Sequence, residues 1–454
     1  MAPVRFGTDG IRGRAGSDLT TEVAYCLGMA VAEVLGPRRC IVGRDTRESG
    51  PLLSAALVAG LGEAGADDPY DVGVLPTPGV AHLCAAQGTI GAVISASHNP
   101  FFDNGIKVLG PGGTKLRDDD EAAIEAALAR LLDHAIVPSL QPPALLDSAP
   151  SAVAEYSDHL VAILPPDALA GMSIVVDCAN GAASAVAPEV LRRLGATVHV
   201  IGDQPDGQNI NDGVGSTHPE RLAAEVLRHG AQLGLALDGD ADRLIAVDED
   251  GDIVDGDALL CLFALDAKRA GRLAGDGLVV TVMSNLGLHR AMAAAGIEVV
   301  TVAVGDRHVA SALDERGLIL GGEQSGHIIF ADLATTGDGA LTGIMLADLV
   351  RRSGESLSAL ASSALEIFPQ VLEAVHGIAA SHLGSATRVH ERIAELEIAL
   401  GDDGRILVRA SGTEPVVRVM VEASDAGVAR AVADELCDLV TEELGAQGGG
   451  GPVT

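Results

Sequence analysis

Residues 38–47 read RRCIVGRDTR. A short apolar run, Cys40-Ile41-Val42-Gly43, empties into a charged loop. The unit recurs in weakly similar form as GMSIVVDCANGAAS (171–184) and DGLVVTVMSNLG (276–287). Each copy ends a strand-like run in a polar loop carrying Gly, Asn or charge. The run in the last of these is 278–282, a further strand-like run is 233–237, and 51–64, 219–229 and 307–316 carry apolar residues at helical spacing. Strand, loop and helix in alternation predict repeated α/β domains with mixed, mainly parallel sheets.

A chain of 454 residues is too long for one core and predicts several domains. The stretch 138–151, PSLQPPALLDSAPS, reads as a first linker. LIAVDEDGDIVDGD (244–257) has an Asp-Gly turn between apolar runs and reads as a hairpin closing a second domain. A third boundary falls in 352–366, and the Gly-rich end reads as a flexible tail. The expected division is 1–150, 151–252, 253–364 and 365–446, with a tail over 447–454.

Hydrophobic residues make up 48% of the chain but aromatics only 2%, so the cores must be built from Val, Ile, Leu and Ala. The formal charge of −33 argues against nucleic acid as a partner, because phosphate backbones need a basic surface. The six cysteines are scattered with no CxxC pair, which excludes a zinc ribbon or thioredoxin-type site. The start, MAPVRFGTDG, has no apolar core of a signal peptide, and no run of about 18 apolar residues spans a membrane. The expectation is a cytoplasmic enzyme or binding protein.

Five stretches carry chemistry. In GAVISASHNPFFDNGIKVLG (91–110) an apolar run delivers Ser95 and Ser97, then His98, Asn99 and Pro100, with Lys107 ten residues beyond Ser97. In LDGDADR (237–243) three carboxylates, Asp238, Asp240 and Asp242, sit at alternate positions and point to one side if the chain is extended. Converging carboxylates repel unless a cation lies between them, and hard oxygen ligands select Mg²⁺ or Ca²⁺. An EF-hand loop is the competing reading, but its sixth position is Arg243 where Gly is needed, and the flanks read as strands. LVRASGTEP (407–415) with Arg418 gathers hydroxyls, a Gly and two guanidinium groups suited to a phosphate. GGEQSGH (321–327) presents Glu323, Ser325 and His327 at alternating positions, and GTDGIRG (7–13) offers Arg12. No Walker A sequence and no GxSxG elbow occurs.

FGTDGIRG, SASHNP, DGDADR, GEQSGH and RASGTEP, in this order between residues 6 and 415, closely resemble the signature loops of the α-D-phosphohexomutase superfamily. The resemblance implies three similar α/β domains and a smaller C-terminal α+β domain around a central cleft. It implies that Ser97 is carried as phosphoserine and that its phosphate joins Asp238, Asp240 and Asp242 on one Mg²⁺. Lys107, His327, Arg12 and His98 become the acid/base candidates. Lys107 is either a base or the charge partner of phosphoserine. Arg243 is expected on the transferring phosphate. Glu323 and Ser325 are expected to read sugar hydroxyls; Arg409, Ser411, Gly412, Thr413 and Arg418 to hold the phosphate that is not reacting.

Within the superfamily, GEQSGH with Gln324, FPQVL (368–372) and LVRASGTEPVVRVM (407–420) point to amino-sugar phosphates. The implied reaction interconverts D-glucosamine 6-phosphate and D-glucosamine 1-phosphate through a 1,6-bisphosphate. Such a step feeds UDP-N-acetylglucosamine and cell-wall precursor synthesis. A glucosamine or glucose 1,6-bisphosphate is a possible primer. The same-family alternative acts on glucose or mannose phosphates. The implied partner is a small sugar phosphate, with no nucleic acid or membrane, and a homodimer is possible.

Overall fold

The computed structural model describes residues 6–7, 10–36, 38–133, 150–411 and 416–445. Most of the expected linker (138–149), the tail (447–454), Gly412 and Thr413 lie outside the described residues. Pro150 and Ser151, read as the end of that linker, instead open a helix. The chain divides into two compact units: residues 1–283 with 295–364, and residues 284–294 with 365–454.

The first unit holds three sheets. In the first, β1 (Ile11–Arg14), α1 (Thr21–Leu35), β2 (Cys40–Arg44), α2 (Gly50–Glu63), β3 (Tyr70–Val74), α3 (Thr77–Gln87), β4 (Ile90–Ile94), β5 (Asp103–Leu109) and α4 (Asp118–Leu132) follow in turn. The second contains α5 (Pro150–Ala162), β6 (Ser173–Asp177), α6 (Ala187–Arg193), β7 (Thr197–Ile201), α7 (Glu220–His229), β8 (Leu233–Leu237), β9 (Leu244–Asp248) and β10 (Ile253–Val254). The third segment supplies α8 (Gly256–Arg269), β11 (Gly277–Thr281), β12 (Glu298–Val302), α10 (Asp306–Arg316), β13 (Leu320–Gly322), β14 (Ile328–Phe330), α11 (Gly339–Ser353) and α12 (Leu357–Ala364), with α9 (Leu286–Ala294), a part of the second unit, between β11 and β12 in the chain.

The sheet orders are β3-β2-β4-β5-β1, β7-β6-β8-β9-β10 and β12-β11-β13-β14. All three share one plan. Two parallel pairings come first, and an antiparallel strand then follows on a tight connection. The recurring units seen in the sequence are β2, β6 and β11, which occupy the same place in each sheet. Parallel pairings equal antiparallel ones in the first two sheets, so "mainly parallel" holds only for the third. The reason is the reversal after the third strand, which the apolar runs alone do not show.

The central strands β4, β6, β8 and β11 are almost wholly buried, as expected for sheets covered on both faces. Helix starts are fixed by side chains: Thr20 Oγ1 accepts from Val23 N at 3.3 Å, and Asp255 Oδ1 from Ala258 N at 3.1 Å. The helices α1 and α2 approach closely because Gly60 lets them. A Cβ there would meet the Tyr25 carbonyl oxygen at 1.9 Å. The cores are aliphatic, as the composition requires.

One boundary differs from the expected ones. The second sheet continues through β10, two residues past 252, because Ile253 and Val254 pair with Val247 and Ala246 to complete the hairpin. The segment 352–366 holds α12, and the chain passes from the first unit to the second after Ala364.

The second unit is an antiparallel sheet, β15 (Gln370–Val375), β17 (Val417–Ala423) and β16 (Gly404–Ala410), with α13 (Thr387–Leu400) and α14 (Ala426–Gly445). It also takes α9, which the expected boundaries placed in 253–364. Asn285 exchanges two 3.0 Å hydrogen bonds with the Phe368 backbone, and Leu286 N donates to Glu422 Oε2 at 3.0 Å. No helix among the described residues is long and apolar enough to cross a membrane.

A half-buried imidazole pair sits in the first unit. The rings of His82 on α3 and His159 on α5 stack with centroids 4.0 Å apart. Burial, then the neighbouring His159, lowers the His82 pKa to about 4, and burial lowers that of His159. Folded His82 is therefore neutral above about pH 4, and folded His159 holds its proton less well than a free imidazole, while the unfolded chain takes up protons near pH 6.5. Stability is expected to fall as pH drops from about 6.5 toward 4. Thermal melts of wild type and His82→Phe across this range test it. A decline of equal slope in both proteins would assign the acid loss to other groups.

Candidate active site

β4 carries Ser95, Ala96 and Ser97 to its carboxyl end, where ligands bind in sheets of this kind. Ser97 is 1% exposed and has φ +51°, a left-handed conformation that costs a non-glycine residue roughly 1–2 kcal/mol. Its Oγ donates to Asp238 Oδ2 at 2.5 Å and lies 3.3 Å from His98 Nδ1. Its N–H donates to Ser95 Oγ at 2.9 Å, and Ser95 Oγ donates to Asp45 Oδ2 at 2.7 Å. Thus Ser97 faces the acidic cluster, and Ser95 braces the turn.

Asp238, Asp240 and Asp242 converge, but not through an extended chain. They ride the tight turn between β8 and β9, where Ala241 has φ +58° and its N–H donates to the Asp238 carbonyl at 3.0 Å. A turn brings alternate side chains onto one point, where extended backbone would space them along a line. One oxygen from each carboxylate lies within 4.8 Å of the others. Burial, with Asp242 and Asp240 alongside, pushes the Asp238 carboxyl well above its ordinary range. Burial also pushes Asp242 up, but Lys107 and His327 outweigh it and hold it well below.

The cluster fits a divalent cation. Asp240 Oδ1 and Asp242 Oδ1 are buried and have no hydrogen-bond partner, although polar atoms in such places are normally satisfied. Arg243 Nε and His327 Nδ1 approach Asp242 Oδ1 only to 3.8 Å. Carboxylate oxygens alone make a hard donor set.

Lys107, on β5, is 2% exposed and bridges Asp240 Oδ2 and Asp242 Oδ2 at 2.8 Å each. The ammonium thus sits against two of the three carboxylates. His98 is lowered to about 4 by burial, then by Arg243 and Arg12, so its ring is neutral beside Ser97. Arg12 on β1 pairs with Gly105, and a Cβ at Gly105 would meet its Cγ at 3.1 Å.

GEQSGH forms the β13–β14 turn, the same position that SASHNP and DGDADR hold in their sheets. Gly326, at φ +90°, lies where a Cβ would meet the Leu244 carbonyl oxygen at 2.0 Å. The Leu244 N–H donates to Gly326 O at 3.0 Å, seating this turn against the start of β9. His327 is buried and accepts from Gly337 N at Nε2, 3.1 Å away. Burial lowers its pKa, but Asp242 and Asp306 outweigh that and raise it. Glu323 is half-buried and accepts from Gly305 N at 3.0 Å, while Ser325 is exposed. Gln324 donates to Asp255 Oδ2 at 3.3 Å, so it secures the start of α8. A cavity of about 870 Å³ lined by Lys115, Arg307 and His308 includes neither Ser97 nor the three aspartates.

In the second unit, Arg409 and Arg418 stand directly opposite each other across β16 and β17. Burial, then Arg418, lowers the Arg409 pKa. Like charges opposite one another are unfavourable, and an anion between them removes the penalty. Ser411 N donates to Val416 O at 2.9 Å.

Sequence reasoning passed over Arg47, Asp45, Thr77 and Asn211. Thr77 binds Asp240 twice, through N–H to its carbonyl at 3.0 Å and Oγ1 to Oδ2 at 2.6 Å. The available signal was position: GRDTR runs off the end of β2, and PTPG begins two residues after β3.

Three sheets of one plan present a buried serine and a carboxylate cluster at equivalent turns, and half-identical relatives that are mutases make the chain a multi-domain isomerase of that class. Four domain families of phosphoglucomutase/phosphomannomutase match: α/β/α domain I over residues 3–134, domain II over 154–251, domain III over 255–368 and the C-terminal domain over 362–439. The chain belongs to the phosphoglucomutase/phosphomannomutase family, the α-D-phosphohexomutases. It is 50% identical to phosphoglucosamine mutase of Rhodococcus jostii over 442 residues, 96% of this chain and 98% of that one. The phosphoglucosamine mutase of Thermobifida fusca is 50% identical over 447 residues, covering 97% and 98%. A phosphoglucomutase/phosphomannomutase family protein from Burkholderia thailandensis has a similar structure, with TM-score 0.81, 27% identity and 99% of both chains covered.

Proposed function

We propose that this enzyme interconverts D-glucosamine 6-phosphate and D-glucosamine 1-phosphate, using Ser97 as the phosphoryl carrier. The observation that carries the reading is Ser97 Oγ, buried and 2.5 Å from Asp238 in the carboxylate cluster. The choice of amino sugar is supported by half-identical relatives named phosphoglucosamine mutase. It is not supported by Gln324 itself, whose side chain is engaged with Asp255.

Asp238, Asp240 and Asp242 would hold Mg²⁺ with the Ser97 phosphate. Bound there, the ion would supply charge withdrawal from the transferring phosphoryl group. The phosphorus–oxygen bond to Ser97 breaks as one forms to the sugar hydroxyl; the hydroxyl's proton leaves to a nearby base, and the freed Ser97 Oγ takes up a proton. His98, neutral beside Ser97, and His327, against Asp242, are the candidates. Lys107 balances charge, and Arg12 and Arg243 hold the phosphate. The resulting 1,6-bisphosphate turns around and returns its other phosphate to Ser97. Glu323 and Ser325 grip sugar hydroxyls in both poses. Arg409, Ser411, Gly412, Thr413 and Arg418 take the resting phosphate. A bisphosphate primer loads Ser97, and the enzyme works in the cytoplasm as a homodimer.

The test is a parallel assay of glucosamine, glucose and mannose 6-phosphates with Mg²⁺ and glucose 1,6-bisphosphate. A kcat/KM at least about tenfold higher for the amino sugar is expected, the worth of about one net hydrogen bond. Preference for glucose or mannose phosphate would keep the chemistry and move the substrate.

A further inference from the structure

We infer that Arg47 is the positioning residue that holds the Ser97 turn in its reactive shape; this rests on the reading of Ser97 as phosphoryl carrier. Arg47 lies in the GRDTR loop after β2, fifty residues from Ser97, and is 1% exposed. Its Nε donates to Asp45 Oδ2 at 2.8 Å. Nη2 donates to the carbonyls of Ser97 at 2.9 Å and Asn99 at 2.8 Å. Nη1 donates to the carbonyls of Pro100 and of Asp103, the latter at 3.0 Å. A guanidinium has five N–H donors, and these five contacts use them all.

The carbonyls it gathers are those of the turn that reverses β4 into β5. Ser97 needs this support because its backbone is left-handed at φ +51°. Asn211 adds a second grip, with Nδ2 donating to the same Ser97 and Asn99 carbonyls at 2.9 and 3.0 Å. Asp45 closes the frame, since it holds Arg47 on one side and Ser95 on the other, and Ser95 holds the Ser97 N–H. With every donor engaged by the turn and Asp45, Arg47 has none for a phosphate. It therefore acts through Ser97 rather than on substrate.

A lysine keeps the charge but offers three donors from one point, and cannot span five acceptors. Arg47→Lys is expected to lose about 100-fold in kcat, the scale of a reacting group displaced by about 1 Å, with KM within about threefold. Phosphate uptake by Ser97 from glucose 1,6-bisphosphate, followed by peptide mass spectrometry, should slow in parallel. Amide exchange should quicken in residues 97–104. Asn211→Ala should show the same pattern at about tenfold. A folded Arg47→Lys that keeps kcat within threefold, or loses it only in proportion to the unfolded fraction, overturns the inference. If Arg47→Lys does not fold, a folded Asn211→Ala with unchanged kcat and unchanged exchange overturns it. Wild-type protein that neither turns over nor gains phosphate on Ser97 would instead refute the functional reading.

Discussion

Ser97→Ala is expected to lower turnover of glucosamine 6-phosphate by about 10⁴-fold or more, the scale seen when a covalent carrier is deleted. The replacement removes the hydroxyl that donates to Asp238 at 2.5 Å. Ser95 cannot take over, because its Oγ is committed to Asp45 and to the Ser97 N–H. The fold should survive, since the turn is held through the Ser97 carbonyl and N–H, which alanine retains. The cost to stability is one buried hydrogen bond, about 1–3 kcal/mol when the Asp238 oxygen is left bare. A coupled assay, a melt and the mass of the Ser97 peptide check this together. Turnover within tenfold of wild type would require another phosphoryl carrier.

Asp240→Asn is expected to cost roughly 10³-fold in activity, about 4 kcal/mol of transition-state stabilisation. The two side chains have the same shape, so packing is preserved. What changes is one of three converging charges and the donor quality of a buried oxygen. Asp240 Oδ2 is already shared by Thr77 and Lys107, which leaves Oδ1 for a cation. Titrating Mg²⁺ into metal-free wild type should raise its stability, by about 2.7 kcal/mol at 100 times the dissociation constant. The variant should show little of that rise. An equal Mg²⁺-induced shift in both proteins would remove Asp240 from the metal site.

The local chemistry was legible in the chain because it is written in contiguous loops. SASHNP, DGDADR and GEQSGH each carry their reactive groups within a few residues, and each directly follows a buried strand. Their family resemblance was legible for the same reason. The geometry within DGDADR was not, because a positive φ at Ala241 decides between a line of carboxylates and a knot of them. Nor was the role of Gln324, whose side chain turns back to Asp255.

The sequence by itself determined the α/β repetition, the aliphatic cores and the identity of the reactive side chains. Apolar periodicity and residue type are local properties, and they survive without knowledge of neighbours. Only the tertiary structure decided which loops meet and what holds them. Ser97 and Asp238 are 141 residues apart, Lys107 and Asp242 are 135, and Arg47 and Ser97 are 50. Such contacts depend on sheet order and strand reversal, which place three distant turns in equivalent positions. A buried Arg47 satisfied by five acceptors is invisible in a linear text, because its partners are backbone carbonyls that every residue carries.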